Sequence, residues 1–298
     1  MEISNIEPFS QIRYISCFYS ALFPVVKHFK GTFLPYLISD IYVYANKNKD
    51  APEILLSPMQ IRDKTELTRE MGIFTEAKEV SDNIVEDSIN AISNNRPVIV
   101  MIDSFYEPLR QDVYQKEHIA HALLLFGYDK NEKTFTIFEH SHKDSFFYER
   151  SIINFVDLKK CYEGYINNLK KEDVVSTYCE YYADETAVDE KKYINFFVEK
   201  ANEHKSFIFD SLNSIKIFTK DLIAFCDERE RLASLSDSQI RMFNRVMSAK
   251  IVETYALSCA FGERINIVLQ RSDEIINNWN FARGVITKFK YSSVYNEK

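Results

Sequence analysis

A cysteine, a histidine and a possible acceptor follow one another along this chain in an order that suits chemistry. Cys17 stands behind Ser16, a residue type that begins helices, and the helix dipole would make a cysteine in the first turn easier to deprotonate. His121 begins an apolar run, and Glu139 or His140 follows 18 or 19 residues later. A thiol, a base and a group that orients the base are the parts of covalent nucleophilic chemistry.

Three predicted strands position the histidine and its acceptor. Residues 98–102 are a short apolar run behind a proline, residues 122–126 are a second run, and residues 134–138 alternate polar and apolar types with a period of two. A tight turn at 127–131 would join the second and third runs into a hairpin. Neighbours across a hairpin lie roughly 5 Å apart, so His121 can meet an acceptor at the end of the third strand.

The acceptor is either Glu139 or His140, because consecutive residues of a strand face opposite sides of the sheet. We prefer Glu139, since a carboxylate accepts a hydrogen bond from imidazole and stabilises the imidazolium that pairs with a thiolate. The pattern alone does not give the face that looks towards His121, so His140 stays open.

Helices are predicted before these strands. Ser16 is expected to cap a helix that starts at Cys17 and that Pro24 kinks or shortens, and Ser81 is expected to cap a second helix over residues 82–93. Residues 31–78 give mixed signals, with a short helix over 65–71. Helices first and strands afterwards indicate an α+β fold rather than alternating strands and helices.

The C-terminal part of the sequence has a different pattern. All seven prolines lie at or before Pro108, the last 110 residues contain two glycines, and apolar residues recur there at helical spacing. We expect an all-helical region of three or four long helices, one of them starting near Ser236. The polar run ADETAVDE predicts a boundary between residues 1–184 and residues 185–298.

Composition excludes several classes of protein. With 46% hydrophobic and 27% charged residues the chain is expected to be globular, and its net charge of −7 argues against general nucleic-acid binding. No apolar run approaches about 18 residues, so no membrane span is expected, and no signal peptide is evident. Five scattered cysteines without CxxC spacing indicate reduced thiols in a cytoplasmic protein.

The order of the reactive residues is similar to that of papain-like enzymes. Gln11 precedes Cys17 by six positions, the offset at which those enzymes place the glutamine of their oxyanion hole. The runs RPVIVMIDSFYEPL and HALLLFGYD, with CFYSAL around Cys17, resemble the N-terminal domain family of the butirosin biosynthesis acyltransferase. They are similar also to the papain-like amide synthetase of closthioamide biosynthesis. The resemblance covers residues 8–165.

This resemblance implies a papain-like catalytic domain that moves an acyl group from a carrier-protein thioester to an amine in natural-product biosynthesis. The partners would be an acyl or peptidyl carrier protein and a small amine, and phosphopantetheine would arrive with the carrier, with no other cofactor or metal. Asp103 falls at the family's aspartate position and either binds the substrate amine or holds the loop 104–115. Tyr106 and Tyr114, in the same loop, are expected to contact the substrate.

Three other interpretations use the same residues. A cysteine peptidase or amidohydrolase would need the same cysteine and histidine. His118, His121, His140 and His142 have HxxH and HxH spacings that suit zinc, although His121 also begins an apolar strand. A binding protein without catalysis is the third, in which Cys17 is a buried thiol that only packs.

Overall fold

The fold combines antiparallel strands with many helices. The computed structural model describes residues 1–12, 16–47, 51–140, 145 and 147–292. Its strands are β1 (Asp40–Asn46), β2 (Ile54–Gln60), β3 (Ile73–Lys78), β4 (Val98–Asp103), β5 (Ala120–Asp129), β6 (Thr134–Glu139), β7 (Glu149–Asn154) and β8 (Tyr178–Ala183). Its helices are α1 (Cys17–Lys30), α2 (Leu34–Leu37), α3 (Lys64–Glu70), α4 (Ile84–Ser93), α5 (Phe155–Asn168), α6 (Glu190–Glu203), α7 (Lys205–Ser211), α8 (Asn213–Asp227), α9 (Arg229–Phe261) and α10 (Asn266–Ser292). The predicted α+β class with a helical C-terminal region is confirmed.

The chain divides into two compact units. The first consists of Met1–Phe33 and Thr65–Val188, and the second of Leu34–Lys64 and Asp189–Lys298. The first unit ends close to the division expected between residues 184 and 185. The units differ from that division in Leu34–Lys64, which belongs to the second unit because its hairpin packs on helices much later in the chain.

The first unit is built on a six-stranded sheet. Its strand order is β3-β8-β4-β5-β6-β7, and every neighbouring pair is antiparallel. The helices α1 and α4 pack on β5, and α5 packs on β4. These helices cover the apolar side chains of the central strands, so β4 and β5 are buried along most of their length.

The three strands predicted around the histidine are present, each somewhat longer than expected. They correspond to β4, β5 and β6. In the turn between β5 and β6, Asp129 Oδ1 accepts hydrogen bonds from the backbone N–H groups of Asn131 at 2.8 Å and Glu132 at 3.1 Å. Aspartate often stabilises turns in this way. The hairpin fixes the register between the strand of His121 and the strand of Glu139.

The helix α1 carries Cys17 at its first residue and differs from expectation in two ways. Ser16 has extended backbone angles, but its side chain makes no capping hydrogen bond to the described residues of the helix. Pro24 does not shorten α1, which continues to Lys30. Its missing N–H removes only the hydrogen bond to the Ser20 carbonyl, and the proline ring is buried.

The helix α4 is present but begins two residues later than predicted. Its N-cap is Asn83, whose side chain accepts from the N–H of Glu86 at 3.3 Å. The predicted cap, Ser81, instead donates from its hydroxyl to the carboxylate of Asp87 at 2.5 Å. The choice of cap was therefore wrong, because asparagine caps a helix as well as serine does.

The second unit joins a β-hairpin to a set of helices. β1 and β2 pair antiparallel, and both contact α8 and α9. Gln239 on α9 donates from its side-chain amide to the carbonyl of Pro52 at 2.9 Å. The backbone N–H of Ile54 donates to the sulfur of Met242 at 3.4 Å. Residues almost 190 positions apart thus hold this unit together.

Helices of very different lengths make up the rest of the second unit. α9 has 33 residues and α10 has 27, and the rings of Phe218, Phe243 and Trp279 pack together with centroids 5.9 to 6.2 Å apart. The prediction that a helix starts near Ser236 is wrong, because this residue lies inside α9. Its buried hydroxyl donates to the Ala233 carbonyl at 3.1 Å. Among the helices in the described part of the chain, none has the length and apolar character needed to cross a membrane.

Candidate active site

The thiol of Cys17 lies at the start of α1, where several N–H groups point towards it. The backbone N–H groups of Phe18 and Ala122 and the side chain of His121 all lie close enough to the sulfur to stabilise its charged form. The side chain is partly exposed. A sulfur that receives backbone hydrogen bonds at a helix N-terminus is favoured as a thiolate.

The imidazole of His121 lies between Cys17 and a carboxylate. His121 is the second residue of β5, is 4% exposed, and its Nε2 lies 2.9 Å from Glu139 Oε2. Because Nε2 is engaged by the carboxylate, Nδ1 is the ring nitrogen left for the thiol. The three side chains therefore form a relay in the order thiol, imidazole and carboxylate.

Strand register explains why Glu139 rather than His140 faces the imidazole. Leu125 on β5 pairs with Ile137 on β6, so these two side chains share a face. Glu139 lies two residues after Ile137, and His121 lies four residues before Leu125. Both are even steps along a strand, so Glu139 and His121 lie on that same face. His140 contributes through its backbone, because its N–H donates to Glu139 Oε1 at 2.8 Å.

The charges within the relay stabilise one another. Burial would raise the pKa of Cys17, but the hydrogen bond and charge of His121, with the backbone N–H groups, lower it below its usual value. Burial would likewise lower the pKa of His121, but the charge of Glu139 and the hydrogen bonds from both neighbours raise it well above its usual value. Each shift favours the charged form of its own group, so the two shifts together favour a thiolate beside an imidazolium.

The carboxylate of Glu139 is deeply buried yet ionised. Burial alone would raise its pKa, but the charge and hydrogen bond of His121 hold the pKa of Glu139 well below its usual range. The guanidinium of Arg110 adds a positive charge 3.8 Å from Oε1. Arg110 is itself held by Asp112 through hydrogen bonds of 3.0 and 3.2 Å. Glu139 is thus suited to orient His121 and to stabilise its charged form.

Tyr148 is a neighbour of the relay that the sequence did not indicate. Its hydroxyl hydrogen-bonds to the side chain of Ser20 on α1, and its ring lies 4.9 Å from that of His140. Burial raises the pKa of Tyr148, and the charges of His121, Glu139 and Cys17 all act on it. One tyrosine among many aromatic residues carries no signal in the sequence, because only its position beside the relay sets it apart.

A narrow apolar cleft adjoins these groups. It is lined by Phe9, Ser20, Ala21, Pro24, Ala122, Leu124, Phe138 and Tyr148. Its free volume of about 10 Å³ is roughly that needed for a single water molecule. An acyl chain would therefore need side chains of the cleft to move before it could enter.

Gln11 lies in a segment beside the relay, but its side chain does not reach Cys17 through any contact among the described residues. Its Oε1 accepts from the backbone N–H of Ser10 at 3.1 Å, and the side chain is exposed. Ser10 in turn exchanges hydrogen bonds with the backbone of Tyr148, at 3.0 and 3.3 Å. The role of Gln11 in an oxyanion hole stays a prediction.

Asp103 is not accessible to a substrate in this structure. It is fully buried, and its carboxylate accepts from the backbone N–H of Phe105 at 3.0 Å, from Asn168 at 3.4 Å and from His118 at 2.6 Å. The imidazole of His118 also stacks on Phe105, with ring centroids 4.3 Å apart. Of the two roles considered for Asp103, the contacts favour holding the loop and oppose direct binding of an amine.

The two tyrosines of this loop are half-buried, and the contacts described for them lie within the loop or against α5. The ring of Tyr106 packs against Gly164 on α5, where a Cβ atom would overlap it. The hydroxyl of Tyr114 accepts from the side-chain amide of Gln115 at 3.3 Å. Neither tyrosine contacts Cys17 or His121 among the interactions that the described residues make, so their contact with substrate stays a prediction.

The predicted zinc ligands are only partly brought together. His121, Glu139 and His140 place one potential ligand atom each within 4.8 Å of the others. His118 is instead bonded to Asp103, and His142 lies outside the described residues. The guanidinium of Arg110 lies 3.4 Å from His140 Nε2, and its charge opposes a second cation at this position.

Comparison of the chain with protein-family models and with curated proteins finds no match. The geometry of Cys17, His121 and Glu139, together with the residues that surround them, is therefore what indicates a function.

Proposed function

We propose that the first unit is a papain-like domain that transfers an acyl group from a thioester to an amine through Cys17. The observation that carries this proposal is the relay from Cys17 through His121 to Glu139, with the thiol at a helix N-terminus. A structural cysteine needs neither an oriented imidazole nor a buried carboxylate behind it. The chain order cysteine, histidine, acceptor supports the papain-like interpretation.

In the first half of the reaction the Cys17 thiolate attacks the carbonyl carbon of the thioester. The tetrahedral intermediate then collapses, the bond from carbon to the donor sulfur breaks, and the imidazolium of His121 gives its proton to the departing thiolate. The products are a free pantetheine thiol and an acyl group on Cys17. Exchange of one thioester for another is nearly neutral in free energy, so this step is reversible.

In the second half an amine attacks the acyl group on Cys17. Neutral His121 accepts the proton that the amine loses, and Cys17 leaves as a thiolate beside the regenerated imidazolium. The product is an amide, which is more stable than a thioester, and this drives the transfer forward. Glu139 stays ionised throughout and stabilises the charged imidazole.

The proposed partners are an acyl or peptidyl carrier protein, which supplies the phosphopantetheine thioester, and a small amine. The narrow apolar cleft beside Ser20 and Tyr148 is the proposed place for the acyl chain. Phosphopantetheine is in this scheme a part of the donor substrate.

Hydrolysis of the same acyl-enzyme is the second candidate function. Cys17 is partly exposed, so water can reach an acyl group on its sulfur. A peptidase or amidohydrolase would then use the relay with water in place of the amine. The two functions differ in the nucleophile that releases the acyl group.

Intact-mass spectrometry of the protein with acyl thioesters tests the proposal. The protein is incubated with acyl-pantetheine and with acyl-carrier proteins, and the adduct is mapped to a residue. We expect an acyl adduct on Cys17 that a panel of amines discharges as amides faster than water does. Release only as free acid would support hydrolysis instead, and the lack of any adduct would exclude covalent catalysis with these donors.

A second cysteine provides a matched control. Cys259 is an exposed residue whose pKa is raised, because partial burial of the sulfur outweighs its hydrogen bonds with Tyr255 and Ser258. Cys17→Ala should abolish the adduct and turnover, whereas Cys259→Ala should leave both within about twofold of the unmodified chain. Turnover by the Cys17→Ala protein near the original rate would exclude the thiol mechanism.

A further inference from the structure

The loop between β4 and β5 buries a second carboxyl group beside the relay. Glu107 follows the short 3-10 turn Ser104–Tyr106 and is 0% exposed. The hydroxyl of Ser104 donates to its Oε2 at 3.1 Å, whereas Oε1 accepts no hydrogen bond from any residue that the structure describes. A carboxylate in this position would lack the donors that a buried charge requires. Glu107 is therefore poorly placed to ionise.

Its neighbour Glu139 has the opposite surroundings. Glu139 receives the imidazole of His121 at 2.9 Å and the backbone N–H of His140 at 2.8 Å, with Arg110 at 3.8 Å. Two carboxyl groups in contact inside a protein do not both ionise. Because the hydrogen-bond donors and the positive charges surround Glu139, Glu139 is the carboxyl group that ionises and Glu107 is the one that keeps its proton.

We propose that Glu107 is protonated and donates a hydrogen bond from its Oε1 to Glu139, as a positioning residue for the relay of Cys17, His121 and Glu139. The carboxyl groups of the two glutamates face each other at interaction distance, and the orphan Oε1 of Glu107 is the atom that can carry the proton. Burial and the charge of Glu139 raise the pKa of Glu107 well above its usual value, in agreement with the geometry. The positioning role rests on the proposed function, whereas the proton and the hydrogen bond do not.

A neutral Glu107 that donates a hydrogen bond to Glu139 would support the relay in two ways. It holds the carboxylate in the orientation that meets His121, and it leaves the full negative charge on Glu139 to stabilise the imidazolium. The titratable groups that face Glu107 are Glu139 on β6, His121 on β5, Arg110 on its own loop and Cys161 on α5. Among them only Glu139 is both an acceptor and ionised at neutral pH.

Two substitutions at Glu107 separate the possible roles. Glu107→Gln keeps a neutral donor of the same shape, and Glu107→Ala removes the donor. The readout is the rate at which iodoacetamide alkylates Cys17 as a function of pH, followed by peptide mass spectrometry. We expect Glu107→Gln to stay within about threefold of the unmodified chain, and Glu107→Ala to react roughly tenfold more slowly near pH 6. Glu117→Gln, an exposed change in the same loop, should have no effect.

Two results would overturn the proposal. If Glu107 were ionised, both variants would remove a negative charge near His121, and both would slow alkylation to a similar extent. If Glu107 only supported the fold, Glu107→Ala would lower the melting temperature without moving the pH profile. Neither measurement uses a substrate, so this inference can fail while acyl transfer holds, and the reverse is equally possible.

Infrared spectroscopy provides a check that does not depend on Cys17. At pH 8 the carbonyl stretch of a protonated carboxylic acid should be present in the unmodified protein and lost in Glu107→Gln. Its absence from the unmodified protein would show that Glu107 is ionised and would reject the proposal. This readout also covers the case in which the alanine variant fails to fold.

Discussion

His121 interacts on one side with Cys17 and on the other with Glu139. Substitutions of His121, Glu139 and His140 should therefore slow the alkylation of Cys17 to different extents. His121→Ala should slow alkylation of Cys17 near pH 7 by roughly tenfold or more, because the thiolate loses its imidazolium partner. Glu139→Gln should be milder, since a neutral acceptor remains. His140→Ala should stay within about twofold, because the backbone N–H that it gives to Glu139 is unchanged. If the His140 and Glu139 variants exchanged ranks, His140 would be the orienting residue.

Stability should depend on pH through Glu107. In the unfolded chain Glu107 ionises above its ordinary value of 4.5, whereas the folded protein keeps it protonated because its pKa is raised. Because the folded state binds one proton more than the unfolded state, the contribution of Glu107 to stability falls as pH rises above about 4.5. Glu107→Gln removes the dependence, so its melting temperature relative to the unmodified protein should increase from pH 5 to pH 9. A constant difference over that range would contradict the assignment.

The relay could be predicted from the sequence because each member carried a local signal. Cys17 followed a residue that begins helices, His121 began an apolar run, and Glu139 stood at the end of an alternating strand. Glu107 carried no such signal, since a glutamate in a polar loop looks solvated until the fold buries it. The burial of Asp103 was hidden in the same way, because the loop that covers it has no regular period.

At the scale of elements, the three strands around His121 were predicted, whereas β3, β7 and β8 of the same unit and the hairpin of the second unit were not. β4, β5 and β6 are apolar or alternating runs bounded by turns, and they formed as expected. β2 was missed because Pro58 lies inside it, opposite Tyr42, and proline usually argues against a strand. The sheet that contains it has two strands, so β2 is an edge strand, the position at which proline is found in sheets.

The contact between α5 and the loop after β4 should be sensitive to a single methyl group. Gly164→Ala would place a Cβ against the Tyr106 ring and should destabilise the protein by about 1–3 kcal/mol. Gly284→Ala on α10 is the matched control, because nothing lies within 4 Å of the added carbon, and it should stabilise the helix by roughly 0.5–1 kcal/mol. Chemical denaturation measures both. If the two substitutions changed the free energy of unfolding equally, the Tyr106 ring would have moved aside at no cost.

At the scale of the whole molecule, charge is unevenly distributed along the chain. Residues 228–298 contain eleven Lys/Arg and eight Asp/Glu, a net charge of +3. Because the net charge of the chain is −7, residues 1–227 have a net charge of −10. Arg241 and Arg245 are exposed on one face of α9, four residues apart, and Arg283 donates to the nearby Asn244 at 2.9 Å. An acidic carrier protein would be attracted to this basic surface rather than to the acidic first part of the chain.

Reversal of both arginines tests whether a carrier protein uses this surface. Arg241→Glu with Arg245→Glu should lower the rate with a carrier-bound donor several-fold, mainly through association and most strongly at low salt. The rate with a small pantetheine thioester should not change. The control is Lys216→Glu with Lys220→Glu, an exposed pair of the same spacing on α8, which should affect neither donor. Equal loss with both donors would show that the arginines support the fold instead.

The second unit also has a consequence for the order in which the protein is made. The hairpin at Leu34–Lys64 leaves the ribosome early, but Gln239 and Met242, which bind its backbone at Pro52 and Ile54, follow 187 and 188 residues later. At about 5–20 residues per second this is a delay of roughly 10–40 s. During that time the hairpin lacks its contacts with α9, so the nascent chain exposes apolar side chains that a chaperone could bind. For the same reason, a fragment that stops at Val188 would leave the hairpin permanently uncovered.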